Sequence, residues 1–205
     1  MENTNRGIML AAPVAIAALL LGLVAPGTAL LGTQATTDSV GPHGYVTVSV
    51  IRDGQEVYRH EDHNLITNAG KDFLSIQAGA TSGQTAGASF IGLSTNSKVT
   101  AATDTCISTA DAGTTPVEIT SGGLERGTTG VFAHTTGTNT YTITKTFTAS
   151  ATHTNVQRAG LFTAAANGDV CLGANDGTMF AGNAFSAVTL QSADQLTITW
   201  TITLT

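Results

Sequence analysis

Two stretches of this chain carry threonine at every second position. In Thr140-Tyr141-Thr142-Ile143-Thr144-Lys145-Thr146-Phe147-Thr148-Ala149, Tyr141, Ile143, Phe147 and Ala149 alternate against the threonines. In the last ten residues Leu196, Ile198, Trp200, Ile202 and Leu204 alternate against Thr197, Thr199, Thr201, Thr203 and Thr205. Successive side chains of a β-strand point to opposite faces, so this period of two defines strands with one apolar and one polar face. A helix, with 3.6 residues per turn, would scatter the same residues around its circumference. Trp200, on the apolar side, is expected in the core.

The same period extends over most of the chain. Tyr45 to Ile51 sets Val46, Val48 and Val50 on one side; Asp53-Gly54 is a hairpin turn, and Val57 to His60 returns as a second strand. Ser89 to Ser94, Gly160 to Phe162, Thr178 to Phe180 and Phe185 to Leu190 read as shorter strands, the later ones separated by the turn signals Asn167-Gly168-Asp169 and Asn175-Asp176-Gly177. One helix stands out in NLITNAGKDFLSIQAG. Thr67 or Asn68 caps it, Phe73, Leu74 and Ile76 give it an apolar side, and Gly79 ends it. The expected fold is therefore all-β, an antiparallel sandwich of about seven to nine strands with one short helix.

Ahead of these strands, Ile8 to Leu31 is an almost uninterrupted apolar run preceded by Arg6. About 20 apolar residues suffice to span a bilayer as a helix. Three outcomes are open. Pro26-Gly27-Thr28-Ala29 resembles a signal-peptidase site, with Ala35 as a second cleavage position; the run can stay as an anchor; or cleavage after Gly7, as at prepilin-type sites, leaves an assembly helix on the mature protein. Each makes contact with a membrane and places the remainder outside the cytoplasm. The expected organisation is a leader or helix over 1–35, a flexible arm over 36–44 and a β-domain over 45–205.

Charge narrows the partners. Lys, Arg, Asp and Glu make up 11% of the chain, net charge is -6, and the eight basic residues are scattered from Arg6 to Arg158. A phosphate-tracking groove needs basic residues in a cluster, so no nucleic-acid partner is expected. The two cysteines, Cys106 and Cys171, lie in loop-like settings, and in an exported chain they are expected to pair. Such a bridge would contribute roughly 4 kcal/mol by loop-closure entropy.

Catalytic and metal-binding patterns are weak. His60-Glu61-Asp62-His63 splits two and two across a strand and cannot converge on one ion without a bulge. Gly92-Leu93-Ser94-Thr95-Asn96 lacks the second glycine of a nucleophile elbow. Glu118 and Glu125 have no fixed separation for acid/base work. Asn167, Asp169, Asn175 and Asp176 read as turn residues before calcium ligands. No enzyme, cofactor or metal site is expected.

The order of segments NLITNAGKDFLS, FIGLSTNSKVTAATDT, GGLERGTTGVFAHTTGTNTYTITKTFTAS, AGLFTAA and MFAGNAFSAVTLQSADQLTITWTITL resembles a loose group of β-sandwich structural proteins. Members occur in tailed-phage virions, and similar bodies stand behind export signals in secreted proteins, archaeal ones included. The resemblance covers about Tyr45 to Thr205 and implies a building block or surface-contact module with no catalytic residues to carry over. Three roles follow as expectations: a self-assembling surface-filament or pilus-like subunit joined by strand addition, a monomeric adhesion module binding a glycan or cell-surface ligand, and a virion structural protein. The apolar N-terminus favours the cell surface.

Overall fold

The computed structural model describes residues 41–83, 86–107, 118–165 and 177–205. The apolar run and the processing positions Gly7, Ala29 and Ala35 lie outside the described residues. Among the described residues no helix is long and apolar enough to cross a membrane.

Among the described residues eight strands and one helix form in the order β1 (His43–Arg52), β2 (Gln55–Ile66), α1 (Asn68–Gly79), β3 (Phe90–Ser94), β4 (Val131–His134), β5 (Thr140–Thr148), β6 (His153–Phe162), β7 (Met179–Leu190) and β8 (Gln195–Thr203). The alternating segments dictate the centre. Val46, Val48 and Val50 of β1 lie opposite Trp200, Ile198 and Leu196 of β8, and all six are buried. Phe147 and Ile143 of β5 stand opposite Leu196 and Trp200 on the same face. Asp53 and Gly54 turn the β1–β2 hairpin with φ of 50° and 79°, the left-handed pair that matches the twist of the flanking strands. His43 and Gly44, expected in the arm, already belong to β1, because β8 and β2 extend far enough to pair them with Thr203 and Asn64.

The all-β, antiparallel reading and the short helix after β2 hold, the expected N-terminal helix lies outside the described residues, and the two sheets of a sandwich do not separate. All eight strands form one antiparallel sheet, ordered β3-β6-β7-β2-β1-β8-β5-β4, curled into a half-barrel. The cause is β2. Gln55 to Asn64 run along β1, with a bulge at Val57, and Leu65 and Ile66 then pair with Gly182 and Ala181 of β7, so hydrogen bonding never breaks between the layers. The curl encloses a main core that joins Val46, Ile198 and Trp200 of one wall to Ile91, Leu93 and Leu161 of the other, and a smaller cluster of Ile107, Phe162 and Met179 stands apart from it.

Helix α1 closes one end of this core. Thr67 caps it by accepting from the Gly70 amide at 2.9 Å, while its hydroxyl donates to the Met179 carbonyl at 2.5 Å. Phe73 and Leu74 pack on the core as expected, whereas Ile76 is half-exposed. Gly70 is required here, since a Cβ would meet the Phe180 carbonyl at 2.2 Å.

Candidate assembly edge

An open sheet has two edges, and each presents backbone groups that need partners. In this half-barrel the edges are β3 and β4. They are treated differently.

The β3 edge is covered. The Ile119 amide donates to the Leu93 carbonyl at 2.8 Å and the Gly130 amide to the Ser89 carbonyl at 2.6 Å, while single bridges join Ser94 to Glu118 and Phe90 to Thr129. The covering segment is anchored from above by charge. Arg126 and Glu118, both with fully buried side chains, pair at 2.9 Å, and the Arg126 guanidinium stacks 3.7 Å from the centre of the Phe162 ring. Gly92 and Gly160, partners across β3 and β6, leave the room: a Cβ on Gly92 would meet Glu118 Oε1 at 2.9 Å, and one on Gly160 would meet Ile107 at 2.5 Å. A second buried cation, Arg158, holds the preceding loop by donating to Asp104 and to the Ile107 carbonyl. Lys98 and the Ala101 amide also donate to Asp104, at 3.1 and 3.0 Å.

The β4 edge is bare. Val131 to His134 are all exposed, Val131 at 72% and Phe132 at 61%. Phe132 lies opposite Ile143, whose side chain is in the core, so the phenyl ring points to the core side of the sheet and hangs past its last strand. Its single ring neighbour among the described residues is Tyr141, with centroids 5.6 Å apart. Burial pushes the Tyr141 phenol up to about 12. No lysine, proline or bulge interrupts β4, and those are the usual guards of a free edge.

Behind that edge the outer face of the sheet carries no charge on two strands. Thr140, Thr144 and Thr146 of β5 share hydrogen bonds with Thr203, Thr199 and Thr197 of β8, at 3.1, 3.1 and 2.8 Å. These hydroxyls serve one another across the strands. Lys145, with inward parity on β5, is nine-tenths buried; it donates to the Glu125 and Thr128 carbonyls and sits over Phe147. Desolvation lowers its pKa, against the opposing pull of Glu125.

The other sequence candidates are dispersed. His60 and Asp62 share the face of Val48 and Val46, His60 lying against Phe185, while Glu61 and His63 face out beside Tyr45. Among the described residues no group of three or more His, Cys, Asp or Glu could hold a metal ion. Ser94 is fully buried at a strand end, its hydroxyl accepting from the Asn96 amide at 3.0 Å. Glu118 is engaged with Arg126, and Glu125 is exposed, so the two carboxylates make no pair facing a cleft. Asn167, Asp169, Asn175 and Asp176 lie outside the described residues. Trp200 is in the core, fully buried. Cys106 is 4% exposed and no cysteine is free among the described residues; Cys171 lies outside them.

The sequence reading missed β4. Four residues are too few to show a period, and Val131-Phe132-Ala133-His134 has no alternation of apolar and polar types. The one available signal was a β-branched and an aromatic residue between Gly130 and the Thr135–Asn139 turn. No protein-family model, curated protein or solved structure matches the chain.

Proposed function

We propose that this chain is an exported, non-catalytic structural protein that assembles with copies of itself outside the cytoplasm through strand addition. The observation that carries the reading is the contrast between the two sheet edges: one is closed by bridges and a buried ion pair, the other is apolar, ungated and bare. Strand addition supplies affinity through main-chain hydrogen bonds and needs only such an edge. The low charge of the chain removes the repulsion that keeps many soluble proteins apart. The apolar N-terminal run gives the route of export and the contact with the membrane, and a Cys106–Cys171 bridge fits an oxidising compartment.

The runner-up, a monomeric adhesion module that reads a glycan with its loops, draws less support. The loop that leaves β3 is pinned to the sheet by Asp104 rather than held away from it, and binding loops are usually the mobile ones. A virion role rests on the resemblance alone.

Electron microscopy and light scattering of the exported protein over a hundred-fold concentration range test the reading. Polymers or closed oligomers that grow with concentration are expected. A monodisperse monomer throughout, recovered from the medium, would refute it, and a cytoplasmic location of the folded protein would refute the export half.

A further inference from the structure

Resting on that assembly reading, we infer that the strand added to β4 is the segment Leu31 to Ala35 of a second copy, so that subunits join head to tail through their N-terminal arms. Three observations converge on this occupant.

The first is the shape of the vacancy at the sheet edge. A strand beside β4 would bury the outward half of Phe132 and pair the free side of four residues. Such a strand needs an uncharged face with at least one large apolar residue to lie beside Phe132, and a polar face toward water. Extended as a strand, the segment would put Leu31, Thr33, Ala35, Thr37 and Ser39 on the first face and Gln34, Thr36 and Asp38 on the second. The segment holds no proline, and Gly32 is the weakest strand former between Leu31 and Ala35.

The second is where the arm leaves the domain. Gly41 is tied to the chain's last residue: Thr205 Oγ1 donates to its carbonyl at 2.8 Å. His43 lies opposite Thr203, Thr203 opposite Thr140, and His134 opposite Tyr141, so Gly41 and the C-terminal end of β4 share one end of the sheet. Forty residues precede Gly41.

The third is the difficulty of filling the edge from within the same chain. Between β1 and β4 lie β8 and β5, three strand spacings or about 14 Å. An arm returning to its own β4 must approach Gly41 in the direction β4 itself runs, giving a parallel ladder, which is the weaker pairing. It must also round the corner where the Leu204 amide donates to the Asn139 carbonyl and the Asn139 side chain donates back to the Leu204 carbonyl, at 2.9 and 2.8 Å. An arm from a second copy is free of both restrictions and pairs antiparallel. Since the arm and the edge are different surfaces, each subunit donates once and accepts once, and the contact propagates head to tail, as an open chain or, where the rotation between subunits closes, as a ring.

The test uses the full chain in its exported form. A photo-crosslinking phenylalanine analogue is placed at position 132, isotopically heavy and light proteins are mixed before assembly, and adducts are mapped by mass spectrometry. Adducts to Leu31–Ala35 in mixed heavy–light pairs are the expected result. Adducts confined to one isotopic chain, adducts joining β4 to β4, or a polymer with no adduct in the arm would overturn this inference and leave the assembly reading standing. Absence of any polymer would sink both. A mature N-terminus at Thr36 would also overturn it, because the donor would then be missing. As a second measure, Leu31→Asp and Phe132→Lys are each expected to raise the concentration needed for assembly by about ten-fold or more, with the unfolding midpoint of the monomer unchanged. Assembly of both variants at the parental concentration would contradict the proposal.

Discussion

Ala193 holds φ at 73°, in the left-handed region that alanine pays to occupy, and it does so to close the Gln191–Asp194 turn onto Ala149, whose carbonyl accepts its amide at 2.7 Å. Ala193→Gly removes the Cβ clash and is expected to raise stability by about 0.5–1 kcal/mol in urea unfolding. The next residue makes the stability of the molecule depend on acid. The Arg52 guanidinium donates to both oxygens of Asp194, at 3.0 and 2.6 Å, and with the Gln191 amide holds that carboxyl below its ordinary value in spite of burial. Burial alone would raise Asp104, but the Ala101 amide, Lys98 and Arg158 outweigh it and keep it low as well. A carboxyl whose folded pKa lies below the unfolded one stabilises the fold fully above the unfolded value, about 3.9, and loses that contribution as pH falls through the folded value. The urea midpoint should therefore drop between about pH 5 and pH 2.5. The double variant Asp104→Asn, Asp194→Asn, already weaker at pH 5, should show a flatter decline, and an equal slope in both proteins would contradict this assignment.

At the level of elements, the ion pair that clamps the β3 covering segment is the most exposed to mutation. Glu118→Gln leaves the Arg126 charge buried without its counter-ion and is expected to cost about 3–5 kcal/mol, whereas replacing both by apolar residues of similar volume should cost less. Thermal unfolding of the four proteins of that cycle measures the coupling. Neither this clamp nor the glycine pair beneath it was legible in the sequence. Long-range contacts such as Gly92 against Glu118 leave no local period, and Arg126 looks like an ordinary surface residue in GGLERGTTG. The elements with a period were legible: β1, β5, β8 and the turn at Asp53-Gly54 follow from alternation, and α1 from Thr67 and its apolar side. Where two segments were read separately, Thr178–Phe180 and Phe185–Leu190, the structure joins them into β7, because Gly182 and Asn183 interrupt the apolar pattern without interrupting the ladder. The division into sheets was lost for a similar reason: the polar stretch His60–Asn64 hides the continuation of β2 to its pairing with β7.

The β-domain, Gly41–Thr205, is a half-barrel with one edge sealed by its own loops and one edge left as β4. A closed barrel would have no edge, and a chain meant to stay alone usually protects the one it has. The exposed ring of Phe132, the uncharged threonine face of β5 and β8 and the apolar N-terminal run are what the proposed function rests on, that the protein is exported and completes its sheet with a strand from outside the domain. Hydrogen–deuterium exchange at Val131, Phe132, Ala133 and His134 tests that account directly. In dilute protein those β4 amides that face away from β5 should exchange at near-unfolded rates; in assembled protein they should slow by about a hundred-fold or more while the amides of β1 and β8 stay unchanged. Equal exchange of β4 in the dilute and assembled protein would contradict it.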